Sequence, residues 1–220
     1  MGKLAAPDKK FRIYLWNLRM QNGTYRYYGF IQQTPGQHAN VTSLIDRSDS
    51  IMEPETQLLT PENWYGALYY KIIPVETGHS KTVYTLLGWD GINTLLTQKL
   101  IDILTFKENG EIQFGAPLFL DYAANQNMRI IFRYSCEASM ILKFDDQTLI
   151  NTKHWNPRKR EFENTTKQAP IIVCDRLIPL DPQLEGLYQH YVPASDVYDG
   201  FLLEGSKWHY IKGIDVRNKN

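Results

Sequence analysis

The sequence predicts an all-β fold, mostly antiparallel and with little helix, in which about ten to twelve short strands run as a meander that forms a sandwich or a barrel-like sheet. Three observations carry this prediction. Apolar and polar residues alternate at period two from near the start of the chain to near its end, and the residues that keep the alternation are aromatic or β-branched, which pack well on a pleated surface. Asn-Gly pairs stand between such runs at Asn22-Gly23 and Asn109-Gly110, and Asn-Gly is the strongest short-range hairpin signal. Helical stripes, by contrast, are broken throughout by Gly, Pro or β-branched residues.

The elements follow in order. Phe11, Ile13 and Leu15 share one face of a first strand, and Tyr25, Tyr27, Gly29 and Ile31 one face of a second; Asn22-Gly23 between them predicts a type I′ hairpin. Trp64–Val75 and Lys81–Trp89 pair across Thr77-Gly78-His79-Ser80, whose Gly and small polar residues suit a longer loop. Gly91–Lys99 reads as a short helix. Asn109-Gly110 joins Leu100–Lys107 to Glu111–Phe114, and Met128–Tyr134 and Met140–Phe144 alternate across Ser135–Ser139. Asp199-Gly200 and Glu204-Gly205-Ser206 bracket Phe201-Leu202-Leu203, followed by Trp208, Tyr210, Lys212 and Ile214. Apolar residues thin out over 146–168, which reads as a long exposed excursion from a single domain spanning 1–220.

Composition excludes several functions. The 24 basic and 24 acidic side chains cancel, so no global field draws in a polyanion and nucleic acid is not an expected partner. Runs such as Ile101–Phe106 and Ala169–Cys174 are far too short to cross a bilayer as a helix, which argues against an integral membrane protein. The start, Met1-Gly2-Lys3-Leu4-Ala5-Ala6, has no signal-peptide h-region, and the expectation is of a cytosolic start or, preferably, an exported chain whose leader is absent. Ala6 stands where a myristoylation signal wants Ser or Thr. Cys136 and Cys174 suit either redox state, and both fall in apolar strand patterns where Cys acts as a small buried hydrophobe. Asn22-Gly23-Thr24, Asn40-Val41-Thr42 and Asn164-Thr165-Thr166 match the N-glycosylation acceptor, a pattern too short to decide anything alone.

No catalytic, metal or cofactor motif stands out, and the expectation is a non-enzyme without cofactor or metal. Gly-x-Ser-x-Gly, Cys-x-x-Cys, His-x-x-x-His and a Ca²⁺ loop are all absent. Adjacent Asp145 and Asp146 point to opposite faces of a strand, so at most one serves a given site. Asp90, Asp175 and Glu185 are the acids to examine for glycoside hydrolysis, although Asp in turns such as Gly88-Trp89-Asp90-Gly91 normally satisfies backbone donors.

The aromatic load says more. The chain carries fourteen Tyr, nine Phe and five Trp. Tyr25-Arg26-Tyr27-Tyr28, Trp64-Tyr65 and Tyr69-Tyr70 place rings on both faces of their strands, and an antiparallel sheet commonly covers only one. The remaining rings face a second layer, solvent or a partner. Trp64, Tyr65, Trp89 and Asp90 are the candidate partner-binding residues there. Trp155, Arg158 and Arg160 join them in the basic stretch Trp155-Asn156-Pro157-Arg158-Lys159-Arg160, which suits an acidic protein or a phosphate-bearing head group, or is simply a solvated loop diluted by Glu161 and Glu163. The function expected is binding of another protein. The alternatives are a carbohydrate-binding module using exposed Trp and Tyr, or a glycan-acting hydrolase.

Several phrases carry a family resemblance: Phe11-Arg12-Ile13 with Trp16-Asn17; Gly23-Thr24-Tyr25-Arg26-Tyr27; Trp64-Tyr65-Gly66 with Leu68-Tyr69-Tyr70-Lys71-Ile72-Ile73; and Tyr84-Thr85-Leu86-Leu87-Gly88-Trp89-Asp90-Gly91. Phe114-Gly115-Ala116-Pro117, Leu184-Glu185-Gly186-Leu187-Tyr188 and Tyr198-Asp199-Gly200 continue it. In these the chain resembles a family of exported, functionally uncharacterised β-rich proteins of Bacteroidota. The resemblance implies a protein of the periplasm or cell surface made with a leader, with Asp49-Ser50-Ile51 fitting that phylum's O-glycosylation acceptor. It further implies that 151–167 is an insertion into a shorter hairpin, and that the partner is another envelope protein, with an accessory role at a type 9 outer-membrane translocon as one setting.

Overall fold

Strand pairing organises the whole chain. The computed structural model describes residues 1–34, 40–78, 81–122 and 127–214, without the side chains of 147–156 and 162–168. Numbered in chain order, β1 (Gly2–Ala5), β2 (Phe11–Arg19), β3 (Tyr25–Gln33) and β4 (Val41–Ile45) form a front sheet in the order β1-β2-β3-β4. A middle sheet takes β5 (Leu68–Thr77), β6 (Lys81–Asp90), β7 (Leu96–Phe106), β8 (Ile112–Phe114) and β10 (Ile130–Ser135), ordered β10-β7-β6-β5 with β8 paired to β7. The back sheet joins β11 (Leu142–Asn156), β12 (Glu161–Pro179), β13 (Tyr191–Glu204) and β14 (Lys207–Ile214), with the two residues of β9 (Phe119–Leu120) running parallel to β14 at its edge. The predicted all-β, mostly antiparallel meander is the fold. Among the described residues no helix is long and apolar enough to cross a membrane.

Two cores separate three layers. Phe11, Ile13, Leu15, Tyr27, Ile31 and Leu44 of the front sheet share a core with Tyr69, Tyr84, Leu86, Leu100 and Leu104 of the middle sheet. Leu87, Ile101, Ile103, Ile130 and Phe132 turn the other way, onto Ile172, Cys174, Phe201 and Trp208 of the back sheet. Successive side chains on a strand point to opposite faces, so Leu86 and Leu87, or Leu100 and Ile101, enter different cores. This is why β6 and β7 are apolar on both faces, which an antiparallel sheet with one wet face is not. Trp208 fastens the back layer by donating its indole N–H to Thr85 Oγ1 at 2.9 Å.

Both Asn-Gly hairpins form, but with a different turn from the type I′ expected. At each, the Gly N–H bonds back to the carbonyl three residues earlier, Gly23 to Met20 (3.0 Å) and Gly110 to Lys107 (2.9 Å). Only the glycines take positive φ, 82° and 83°, so each loop is a type I turn closed by a left-handed Gly. Asn22 and Asn109 instead accept through Oδ1 from the N–H two residues on, at 3.1 Å each, and that side-chain bond holds the turn with Asn in the right-handed region.

Four other local expectations change. Gly91–Lys99 is not helical: Asn93 Oδ1 caps the N–H groups of Leu95 and Leu96 at 2.9 and 3.0 Å, and β7 starts at Leu96 because Thr97–Leu104 find ladder partners on β6 and β10. Met128–Tyr134 and Met140–Phe144 do not pair with each other; β10 pairs with β7, whereas β11 pairs with β12. The excursion at 146–168 is a two-stranded ribbon in register from Thr148↔Ala169 to Asn156↔Glu161. Its Thr and Ile residues carry strand propensity even where the composition is polar. Asp199-Gly200 lies within β13 at a register shift rather than in a turn, because the Asp199 carboxylate is occupied by Arg176, Tyr210 Oη (2.7 Å) and the Gly213 N–H (2.9 Å). Of the Thr77–Ser80 loop, His79 and Ser80 lie outside the described residues.

The cysteines do not pair, and only one is buried. Cys136 is exposed in the turn after β10, its thiol 2.8 Å from the Thr94 carbonyl, contrary to the buried role expected. Cys174 sits in the second core, where burial pushes its thiol well above the usual range. Thiol titration of the folded chain is therefore expected to find one reactive cysteine, the second reacting only on unfolding; two reactive thiols under native conditions would contradict the packing of β12 against the middle sheet.

Candidate functional site

Two surfaces near the front sheet gather the chemically capable side chains. The first is the sheet's outer face. Burial of Phe11, Ile13 and Leu15 in the first core forces Tyr14, Trp16 and Leu18 outward, and the same parity on β3 and β4 turns out Arg26, Tyr28, Phe30, Val41 and Ile45. Tyr14 stands opposite Phe30 with ring centroids 4.6 Å apart and planes 18° apart; Trp16 stands opposite Tyr28 at 5.8 Å and 10°. Leu18, Tyr28, Val41 and Ile45 are exposed around these pairs. The outward strand positions also include Lys3, whose Nζ lies 5.9 Å from the Tyr14 ring centre, and Arg12. No carboxylate occupies an outward position on the four strands, so this face carries more cations than anions, with Asp49 3.9 Å from Arg26 at its edge, on a chain of zero formal net charge.

The second is a cleft of about 640 Å³ where the β2–β3 turn meets the turn after β6. Tyr25, Tyr65, Met20 and Ile92 supply apolar wall, while Asp90 and Asp46 contribute carboxylates. Asp46 continues the ladder beyond the end of β4: its Oδ2 accepts from the Tyr27 N–H at 2.9 Å and its Oδ1 from the Ser48 N–H and Oγ at 3.0 and 2.7 Å. The position opposite must be Gly66, since a Cβ there would stand 2.5 Å from Asp46 Oδ1.

Asp90 forms the base. It is 4 % exposed and accepts from Gln98 Nε2 at 2.7 Å and from the Ile92 N–H at 3.0 Å. Burial pushes its carboxyl up to about 6, although hydrogen bonds from Tyr27, Ile92 and Gln98 act against the rise. Gln98 Nε2 also donates to Tyr65 Oη at 2.7 Å, and the Tyr65 hydroxyl meets Arg133, which donates to Glu55 at 2.6 Å. A polar chain thus runs from the cleft across the middle sheet.

The structure brings together three of the sequence-predicted residues and separates the rest. Tyr65 and Asp90 share the cleft base, and Trp89 buttresses it with its ring 5.8 Å from Tyr25 in edge contact. Trp64 does not reach the surface: it is wholly buried in the first core, donating its indole N–H to Tyr69 Oη at 3.1 Å, because the chain from β4 to β5 runs beneath the front sheet in an isolated bridge with Asp46. Arg158 and Arg160 are exposed at the ribbon turn of the back sheet, and the Trp155 side chain lies outside the described residues. Nor do the three candidate acids face one cleft. Asp175 lines a separate cavity of about 250 Å³ beside Cys174 and Asp199, and Glu185 is exposed after β12. Asp46, Arg26 and Gln98 were not singled out from the sequence; the one local sign was the spacing Asp46-Arg47-Ser48, which suits a side-chain-capped turn. Among the described residues no three metal-ligating side chains gather.

No protein-family model, curated protein or solved structure matches this chain.

Proposed function

We propose that this chain is a binding protein without catalytic activity, and that it presents the outer face of β1–β4 to another protein whose contact surface is apolar at its centre and acidic at its rim. The observation that carries this reading is the solvent-facing cluster of Tyr14, Trp16, Tyr28 and Phe30, bordered by exposed aliphatic side chains and by Lys3, Arg12 and Arg26, of which Arg26 alone has a carboxylate near it, Asp49 at 3.9 Å. Aromatic residues and Arg are enriched in the cores of protein interfaces, and a cationic rim steers an acidic partner. The family resemblance supports a partner in the cell envelope, with an accessory role in outer-membrane secretion as one such setting. The hydrolase alternative gains little: Asp46 spends both oxygens on three donors and Asp49, the other carboxylate lining the cleft, is exposed and faces Arg26.

Affinity purification from the native envelope, with the parent chain and a Trp16→Asp variant in parallel, tests this. Trp16 lies outside both cores, so the variant should fold normally, and loss of an interface anchor should weaken the partner's retention by about thirtyfold or more. Retention should also fall as salt rises. A partner held equally by both proteins, or recovery of the monomer alone, would remove the reading.

A further inference from the structure

We propose that the cleft beside Tyr25 is a second, independent binding site, and that it takes a neutral sugar residue. Its volume of about 640 Å³ lies within the range of small-ligand pockets, roughly 300–1,000 Å³. The lining combines apolar surface from Tyr25, Met20 and Ile92 with hydrogen-bonding groups, a mixture that suits a pyranose, with C–H patches on its faces and hydroxyls at its edge.

The base is built and held before any ligand arrives. Asp90 and Tyr65 are each more than nine-tenths buried, yet both line the cleft. They are held from behind by a single amide nitrogen, Gln98 Nε2, at 2.7 Å from each. Gln98 is wholly buried, and its amide oxygen has no hydrogen-bond partner. A buried acceptor left unpaired is costly, so the network at the cleft base is one donor short. A ligand hydroxyl that donates to Asp90 or Tyr65 adds a donor to this network.

Charge selects a neutral ligand. Asp46 is saturated by its three donors, and Asp49 stands 3.9 Å from Arg26. The carboxylates therefore repel an acidic sugar or a phosphate, and the nearby Arg26 offsets part of their attraction for a cation.

Saturation-transfer NMR and calorimetry with glucose, galactose, mannose, N-acetylglucosamine and their β-linked disaccharides test the site, with glucuronate and ethanolamine as charged comparators. At least one neutral saccharide should bind saturably, and Tyr25→Ala and Tyr65→Phe should each weaken it about tenfold. Tyr65→Phe keeps the ring and tests the hydroxyl in a variant that retains the core packing. Trp16→Asp should leave saccharide binding unchanged, which separates this site from the outer face of the sheet. Binding of none of the neutral sugars, binding of glucuronate or ethanolamine alone, or saccharide binding indifferent to both tyrosine substitutions would overturn the proposal.

Discussion

Replacing Asp102 with Ala is expected to destabilise the protein by about 3–5 kcal/mol, the cost of stranding one member of a buried ion pair. Asp102, on β7, points into the first core and is wholly buried together with Arg129. Its Oδ1 accepts from Arg129 Nε at 3.1 Å and its Oδ2 from Tyr69 Oη at 3.1 Å, and Tyr69 in turn holds the Trp64 indole. Arg129 reaches on to the Gln57 carbonyl at 2.9 Å and to that of Pro54, so one carboxylate ties β5, β7 and the 54–57 segment. Its removal leaves a guanidinium in the core with only carbonyls for company, and Arg129 Nη2 already has no partner. In a domain of this size the loss corresponds to a fall in Tm of roughly 10 °C. Urea unfolding measures it as a lower midpoint at unchanged slope. The double substitution Asp102→Leu with Arg129→Leu should cost less than Asp102→Ala alone, because neither leaves an unpaired charge. Strictly additive costs would show that the pair does not act as a unit.

A second large effect is expected from pH. Asp90 has its carboxyl raised from 3.8 to about 6, chiefly by burial. Between those values the unfolded chain has released the proton and the folded chain still holds it, so stability falls as pH rises from about 4 to about 6 and then levels off. The shift corresponds to about 3 kcal/mol. Asp175, also raised by burial, acts in the same direction. Asp199 acts oppositely: burial works to raise it, but Arg176, the Gly213 N–H and Tyr210 outweigh burial and hold it below its usual value. Its contribution is present above the ordinary carboxylate range and lost as pH falls further. Stability should therefore peak near pH 4 to 5, and the fall above that should flatten in Asp90→Asn. That variant should exceed the parent at pH 8, because it removes the charge that burial penalises there. Urea melts at pH 4.5, 6 and 8 decide the matter; parallel profiles for the two proteins would show that Asp90 is not the group responsible.

The candidate cleft was half visible in the sequence. Gly88-Trp89-Asp90-Gly91 marks a turn and Tyr65 an aromatic strand end, but nothing local says that these two meet, or that Asp46 and Gln98 complete the group. Those residues come from four separate segments, and Gln98 and Tyr65, 33 positions apart, meet only through the tertiary fold, which sets the segment before β5 beside β7. The misplaced helix at Gly91–Lys99 has the same origin. A short apolar run fits either period, and the ladder partners of β7 on β6 and β10 decided for strand.

What the amino-acid order determines by itself is local: the strand-forming alternation of β2, β3, β5 and β6, the hairpins at Asn22-Gly23 and Asn109-Gly110, and the lack of sustained helix. Pleat period and turn dihedrals depend on residues a few positions apart, so the chain carries them without knowledge of its fold. Which face of each strand meets another layer was decided only by tertiary structure. Alternation separates Trp16 from Leu15 and Leu86 from Leu87, but it does not say which side will be covered. Three-layer stacking buried Trp64 and both faces of β6, and left Tyr14, Trp16, Tyr28 and Phe30 outside the cores, because a pleated strand specifies two faces and only the neighbouring sheets choose between them.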